Sequence, residues 1–339
     1  MRARRAFSPL RLALLGLILV FVAAVVLLRT SSSDFLLVPD RAHPLANLVT
    51  VPGSKAKQNG GGIYYVDVLE RRASLLERLF PGIRSGSTLV QQNQLAPPGV
   101  SNSQRIQADQ LDMQLSQQIA SAVALRALGY KAGITEHGVR VAVVYSGTHA
   151  VGVLRSGDVI VSADGKPTQT IEQLHDVISS KKVGAVVPIE FIRSGVKHRV
   201  DITTSRDPLG GNRAIIGIEP EPAIRVNAPF KIKFDLGDVG GPSAGLAFAL
   251  QILEEEGRDV DHGYKVAATG VINPDGTVGE IGGIKQKTIG AREAHVDVFL
   301  VPAGDNYNDA KKYAHGLRII PVKSFQQALR ALATLPPKT

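Results

Sequence analysis

The segment 238–250 constrains the fold of this chain more than any other, because it joins a turn-forming sequence to an apolar one. Two glycines and Pro242 precede Ser243, and an Ala/Leu-rich run then continues to Glu254. Adjacent glycines permit close backbone approaches that a side chain would forbid, and proline suits the first turn of a helix. The segment therefore predicts a tight turn followed by a helix, with Ser243 at the helix N-terminus.

Ser243 has two interpretations. At a helix N-terminus, unpaired N–H groups and the helix dipole favour negative charge, so a serine hydroxyl there lies beside donors that can hold an oxyanion. Acyl transfer to a serine needs this arrangement. Serine is also a preferred helix cap, and the segment could be only a turn and a cap.

A second glycine-rich segment, residues 269–288, contains a Pro-Asp-Gly turn and a Gly-Gly pair, and then Lys285 at the onset of an apolar-periodic helix. A lysine can activate a serine as general base only if its pKa falls from about 10.4 toward neutrality, which desolvation by apolar neighbours can achieve. Lys287 would point to a different face of the helix, and we interpret it as a solvated lysine.

Gly-Gly-Pro-Ser-Ala-Gly followed by Ile-Gly-Gly-Ile-Lys-Gln-Lys resembles the Ser-Lys proteolytic domain of Lon-type proteases, over roughly residues 215–321. The resemblance implies an α/β (α+β) fold with Ser243 as the nucleophile and Lys285 as the general base. It also implies that Thr269 hydrogen-bonds the catalytic lysine. By resemblance, Lon-type domains commonly assemble into rings, so a hexamer is the expected oligomer.

The oxyanion hole is expected in the backbone of the turn, which comprises Gly241, Pro242, Ser243 and Ala244. The chain departs from the family at Gly240, where Lon enzymes usually carry an aspartate. The nearest acid here is Asp238, which puts the charge of this loop in doubt but not the nucleophile.

The run from Leu12 to Leu28 is uncharged and long enough for a membrane-spanning helix. The arginines ahead of it favour a cytoplasmic N-terminus. We therefore expect residues 1–33 to be a cytoplasmic stub and signal-anchor in the cell membrane, with the rest extracytoplasmic. A cleaved signal peptide is the alternative, and it also exports the rest of the chain.

Residues 129–207 contain many short strands and one helix. Their order, with Gly-Asp-Val-Ile, Asp-Gly-Lys-Pro, a helix and a hairpin, resembles a PDZ domain of the bacterial protease type. Such domains bind an extended peptide by strand addition. The resemblance assigns carboxylate binding to a loop formed by Gly138, Val139, Arg140 and Val141. A small β domain without a working groove is the alternative.

The PDZ-like segment interrupts the remaining sequence. Residues 34–128, with strands and a long helix from Gln104 to Leu128, are expected to be the N-terminal part of the catalytic domain. Residues 208–339 are expected to form its main part. The sequence therefore predicts a discontinuous proteolytic domain with an inserted, mainly β PDZ domain and one transmembrane helix.

Several other classes of function are disfavoured. The net charge is +9, but five of the arginines lie in the first 33 residues and no basic run follows, which argues against nucleic-acid binding. The chain has no cysteine, which excludes metal–thiolate sites and thiol catalysis. It has neither a G-x-x-x-x-G-K-[ST] loop nor an H-E-x-x-H motif, so neither ATP nor a metal or other cofactor is expected.

The prediction is a membrane-anchored, ATP-independent serine endopeptidase that cleaves unfolded or flexible protein segments. Its expected partners are protein or peptide substrates, a peptide ligand of the PDZ domain, and the membrane. The alternative is a catalytically silent PDZ scaffold at the cell envelope.

Overall fold

The computed structural model describes residues 9–56, 59–96, 99–207, 211, 213–336 and 338. Arg2, Arg4 and Arg5, which support the predicted orientation of the N-terminus, lie outside the described residues. The α-helices are α1 (Pro9–Arg29), α2 (Leu75–Leu79), α3 (Gln92–Leu95), α4 (Asn102–Ala127), α5 (Ile171–Ser179), α6 (Gly245–Glu255), α7 (Ile284–Glu293), α8 (Asp305–Tyr313) and α9 (Phe325–Ala333). Single 3-10 turns lie at Pro81–Ile83 and Pro242–Ala244.

The N-terminal helix α1 is long and apolar enough to cross a membrane, by length and composition, over Leu12–Arg29. None of that window is buried against the rest of the chain. A signal sequence would have the same properties.

A three-stranded antiparallel sheet follows α1 directly. Its order is β5-β1-β6, with β1 (Ser31–Pro39), β5 (Val68–Ser74) and β6 (Thr88–Val90). Ser31 pairs with Ser74 at one end, and Pro39 pairs with Val68 at the other. One end of this sheet therefore adjoins α1, and the other adjoins Asp67.

The main sheet of the larger domain has five strands in the order β2-β4-β16-β19-β20. These strands are β2 (His43–Pro44), β4 (Gly62–Tyr65), β16 (Lys265–Ala268), β19 (Val298–Pro302) and β20 (Arg318–Val322). All pairings except β2–β4 are parallel, and β19 is buried throughout, as expected for a central parallel strand covered on both faces. Because β2 and β4 precede the PDZ-like segment and the other strands follow it, the larger domain is discontinuous, as the sequence predicts.

Helix α6 lies in the core of the larger domain. Every residue from Gly245 to Glu255 is buried, and α4 packs along the helix. The Ala/Leu-rich sequence suits this position because small side chains allow close packing without leaving polar groups unpaired.

The PDZ-like domain is a sheet in the order β11-β10-β8-β7-β14, with β9 paired to β8 and α5 packed nearby. Its strands are β7 (Gly133–Val144), β8 (Val159–Ala163), β9 (Lys166–Pro167), β10 (Val186–Arg193), β11 (Val196–Thr203) and β14 (Ile218–Asn227). Since β14 belongs to this sheet, the predicted boundary at residue 207 is wrong. Residues 215–218, which fall in the segment predicted to form the main part of the catalytic domain, lead into the last PDZ strand instead.

Three short antiparallel pairs complete the strands of the described residues. They are β3 (Val49–Thr50) with β15 (Lys233–Phe234), β12 (Ser205–Arg206) with β13 (Ala214–Ile215), and β17 (Val271–Ile272) with β18 (Val278–Gly279).

Helix α4 contacts both domains. It begins with a capping box formed by Ser101 and Gln104, and the Gln104 side chain also donates to the carbonyl oxygen of Val144 in β7 at 2.8 Å. Further along, Arg140 of β7 forms an ion pair with Glu221 of β14 and lies 3.8 Å from Asp112 of α4. These contacts fix one face of α4 to the PDZ sheet.

Candidate active site

The turn before α6 presents Ser243. Gly241 has φ 86°, a left-handed conformation that favours glycine, and the 3-10 turn Pro242–Ala244 then leads into α6. The Ser116 hydroxyl of α4 donates to the carbonyl oxygen of Pro242 at 3.0 Å. The predicted turn and helix start are therefore present, with the serine in the tight turn just ahead of α6.

Lys287 lies against this serine. Its Nζ is 2.6 Å from Ser243 Oγ, and its side chain is buried in the larger domain. Burial lowers the pKa of the Lys287 ammonium from 10.5 to about 8, and the negative charge of Asp67 opposes part of that change. A lysine with this pKa is neutral in about a tenth of the molecules at pH 7, and the neutral amine can accept a proton from the serine hydroxyl.

Lys285, which the sequence analysis assigns as the base, points elsewhere. Its Nζ donates to the carbonyl oxygen of Ser87 at 2.9 Å and lies 5.7 Å from the centre of the Tyr313 ring. The prediction for Lys285 is wrong, and so is the interpretation of Lys287 as solvated.

Helix phase explains the correction. Lys287 comes three residues after Ile284 and four before Ala291, and both of these apolar residues are buried. Residues at these spacings share one helix face. This pattern was present in the sequence and would have placed Lys287, rather than Lys285, toward the core.

Thr269 is fully buried beside the nucleophile, but its contact differs from the predicted one. Its hydroxyl donates to the carbonyl oxygen of Ser243 at 3.1 Å, and the N–H of Gly270 donates to the same oxygen at 2.8 Å. Thr269 therefore holds the backbone of Ser243, whereas we predicted that it would bind the catalytic lysine.

The backbone of residues 241–244 offers fewer N–H donors for an oxyanion hole than the sequence predicts. Gly241 donates its N–H to the carbonyl oxygen of Asp109 at 2.7 Å, and Pro242 has no N–H. These two residues therefore cannot serve as donors in this conformation. The N–H groups of Ser243 and Ala244 remain as the candidates within the predicted set.

A cavity of about 850 Å³ opens beside Ser243 and Lys287. Carboxylates of Asp67 and Asp109 line it, and burial raises the pKa of both groups. A Cβ on Gly240 would lie only 2.9 Å from Cβ of Asp109. The position where Lon enzymes usually carry an aspartate is thus packed against a carboxylate residue of α4, which leaves no room for a side chain.

Asp67 is the acidic group that influences Lys287. Its Oδ1 is buried and has no hydrogen-bond partner among the described residues. Asp40, His43 and Asp67 place their ligand atoms within 4.8 Å of one another, a spacing that could accommodate a cation. Acidic groups with such spacing are common without a metal, and a serine–lysine pair requires none.

The predicted PDZ loop is not a loop. Gly138, Val139, Arg140 and Val141 lie inside β7, which pairs with β14 on one side and β8 on the other. The side chains of Val139 and Val141 are fully buried. A strand with both edges paired cannot accept an added peptide, so this assignment is wrong.

One edge of this sheet is β14, where β7 is the only neighbouring strand among those described, and the other edge is β11. Gly217, with φ 83°, precedes the strand, and Tyr145 donates its N–H to the Gly217 carbonyl oxygen at 2.9 Å. By alternation along the strand, the nitrogens of Ile218, Pro220 and Pro222 face away from β7. Because proline has no N–H, a peptide added here would find one strand N–H donor over this stretch.

Comparisons with known proteins agree with this two-domain description. Residues 232–334 match the family model of the Lon protease (S16) C-terminal proteolytic domain, and residues 117–204 match that of the PDZ domain. These matches confirm the resemblance found in the sequence.

The Lon proteases that this chain resembles align with only part of it. Lon protease 2 of Bacillus subtilis (strain 168) is 34% identical over 115 residues, which are 34% of this chain and 19% of that protein. The Lon protease of Chloroflexus aggregans is 28% identical over 228 residues, 64% of this chain and 25% of that protein. The chain thus spans a quarter or less of the length of these two relatives. A solved PDZ domain of an SdrC-like protein from Listeria monocytogenes is 32% identical, with a TM-score of 0.24, and covers 25% of this chain and 90% of that one.

Proposed function

Since the chain carries a Lon-type proteolytic domain and a PDZ domain, we propose that it is a membrane-anchored, ATP-independent serine endopeptidase. In this proposal Ser243 is the nucleophile and Lys287 the general base. The observation that carries it is the 2.6 Å contact between Lys287 Nζ and Ser243 Oγ, made by a buried lysine.

The geometry supports a conventional acyl-transfer sequence. Neutral Lys287 takes the proton of Ser243 as Oγ attacks the scissile carbonyl carbon, and the N–H groups of Ser243 and Ala244 stabilise the oxyanion. The lysine ammonium then gives its proton to the leaving amine, which breaks the peptide bond. Lys287, neutral again, accepts a proton from the water that attacks the acyl-enzyme and returns it to Ser243 Oγ as the ester bond breaks. Thr269 keeps the nucleophile in place through the Ser243 carbonyl group.

The substrate is an extended polypeptide. The cavity beside Ser243 shares Gln110 of α4 with a second cavity of about 480 Å³ that lies between α4 and the PDZ domain. A chain bound across Ser243 can therefore continue along α4 toward that domain. The PDZ domain would bind a peptide at the open edge of β14, where the two prolines favour recognition of a short terminal segment over a long added strand.

The anchor in this proposal is α1. Its apolar sequence and largely exposed surface suit a lipid environment. The full sequence has no G-x-x-x-x-G-K-[ST] loop to bind ATP, which agrees with a peptidase that works without nucleotide.

Cleavage of casein by the full chain in detergent, without nucleotide, tests the proposal. Wild type is expected to cleave it, and Ser243→Ala is expected to lower the rate by about a thousandfold or more. If the wild type is inert although the PDZ domain binds peptides, the protein is a scaffold and the proposed activity is refuted.

The proton-accepting role of Lys287 predicts a specific pH dependence. Only the neutral amine accepts a proton, so kcat/KM is expected to rise with pH and level off above about 8. Asp67 favours the charged lysine, so Asp67→Asn should lower the pKa of Lys287 and move the rising limb to lower pH. Initial rates across the pH range measure both effects. If the rising part of the kcat/KM profile of Asp67→Asn stays in place or moves to higher pH, Asp67 does not raise the pKa of Lys287 as assigned.

A further inference from the structure

Three large apolar side chains are exposed on the short segment that follows β5. Leu79, Phe80 and Ile83 are 61%, 59% and 57% exposed. Exposed apolar side chains that are close together in this way usually mark a surface that contacts a membrane or another protein. We propose that these three side chains, the interfacial patch, form a membrane-contact surface that rests on the bilayer next to α1.

The position of α2 places the patch at the end of α1. The N–H of Leu75, the first residue of α2, donates to the carbonyl oxygen of Thr30 at 2.8 Å, directly after α1 ends. In the last turns of α1, Ala24 and Leu27 are half-buried, and their spacing puts them on one helix face. Since α2 contacts α1 and begins beside Thr30, it lies near the depth where a membrane-spanning α1 leaves the hydrocarbon. The inference rests on the membrane anchor of the proposed function.

The charged residues around the patch suit the same depth. Arg78 and Arg84 are about half exposed, and their Nε atoms lie 3.1 Å from Asp34 and 3.5 Å from Glu77. Long arginine side chains keep their heads at the water boundary while the apolar neighbours enter the interface. Arg78 is paired with Asp34, whereas Arg84 shares Glu77 with Arg71. The proposed attraction comes from the apolar side chains, so vesicles of zwitterionic lipid test it without a charge contribution from the lipid.

A bilayer fits the patch better than a protein partner does. The anchor brings lipid to the side of α2, so a protein would have to displace lipid to reach the patch. The last turns of α1, the helix that α2 contacts, also expose apolar side chains, since Val25, Val26 and Leu28 are 39%, 56% and 53% exposed. Two packed elements thus both present apolar surface to the lipid.

Tryptophan fluorescence tests this placement, because the chain contains no tryptophan and a single introduced indole reports only its own surroundings. We would reconstitute the full chain as Phe80→Trp into phosphatidylcholine vesicles whose lipids are brominated near the headgroup. Phe21→Trp lies near the middle of α1, so it reports the anchor in parallel vesicles whose lipids are brominated near the ends of the acyl chains. Val196→Trp is the matched control, because Val196 is 58% exposed but lies in the PDZ domain.

The expected result is a loss of Phe80→Trp fluorescence and a shift of its emission to shorter wavelength, with Val196→Trp unchanged. If Phe21→Trp is quenched and Phe80→Trp is not, the anchor stands and the patch assignment is overturned. If neither is quenched, the anchor and the patch are overturned together. Emission at short wavelength without quenching means that protein covers Phe80, which also overturns the assignment. Casein cleavage by the same samples reports separately on the peptidase activity.

Discussion

Lys287→Met is expected to abolish casein cleavage, with a rate loss of about a hundredfold to ten-thousandfold or more, while Lys285→Met leaves the rate near that of wild type. Both changes remove an amine from α7 and keep a side chain of similar length. Only Lys287 contacts Ser243 Oγ, whereas Lys285 Nζ contacts the carbonyl oxygen of Ser87. Lys287→Arg should be as inactive as Lys287→Met, because a guanidinium does not lose its proton at these pH values.

Thermal unfolding of Lys287→Met distinguishes loss of the general base from loss of the fold. The pKa of Lys287 falls from 10.5 to about 8 on folding, so the unfolded chain binds more protons between these two values. The free energy of unfolding should therefore rise with pH across this window. Below pH 8, wild type bears the full free-energy cost of burying the charged Lys287. At pH 7, Lys287→Met should consequently be at least as stable as wild type in thermal unfolding. An active Lys287→Met, or an inactive Lys285→Met that is folded, would refute the assigned base.

Gly290→Ala is expected to lower the free energy of unfolding by about 3 kcal/mol or more and to reduce cleavage strongly. A Cβ at Gly290 would lie 1.7 Å from the carbonyl oxygen of Asp40, and Ala42 donates its N–H to the Gly290 carbonyl oxygen at 3.3 Å. Both partners are backbone groups, so α7 itself would have to move. Lys287 is one turn earlier on the same helix and would move with it.

Gly133→Ala is the control for this substitution, because a Cβ there meets nothing within 4 Å. Urea unfolding and casein cleavage, measured on both variants, give the comparison. Wild-type stability and activity in Gly290→Ala would show that α7 tolerates separation from the backbone at residues 40–42.

Local sequence chemistry was enough to predict the turn that presents Ser243, and the family resemblance supplied its proposed role as the nucleophile. Two glycines and a proline ahead of Ser243 specify a tight turn, and the apolar run after it specifies a buried helix. The choice between the two lysines depended on the phase of α7, which begins after Gly283 in a left-handed conformation with φ 69°. Comparison with the family motif assigned Lys285. The helical spacing from the buried residues Ile284 and Ala291 instead places Lys287 on the buried face of α7.

The PDZ edge was harder to predict. Strand order depends on pairings between distant segments, and β14 is separated from the other PDZ strands by residues 204–217, which include β12 and β13. Its alternating pattern is equally suited to a strand of the larger domain. Nothing local in Gly138–Val141 indicates that both edges of β7 are paired. The contact between Thr269 and the Ser243 carbonyl group is likewise a tertiary detail that residue type alone does not specify.

The length of strand β1 sets the distance between the membrane and the candidate active site. With α1 in the bilayer as proposed, the strand starts at Ser31 beside the membrane and reaches the cavity wall at Leu37. At about 3.3 Å per residue, the stretch from Ser31 to Leu37 spans roughly 20 Å, so the cavity wall lies within about that distance of the surface. A substrate tethered in the same membrane therefore needs about six extended residues outside it to reach the cavity. Proteins that share the bilayer meet this enzyme by diffusing in two dimensions, whereas free proteins must first come to the surface.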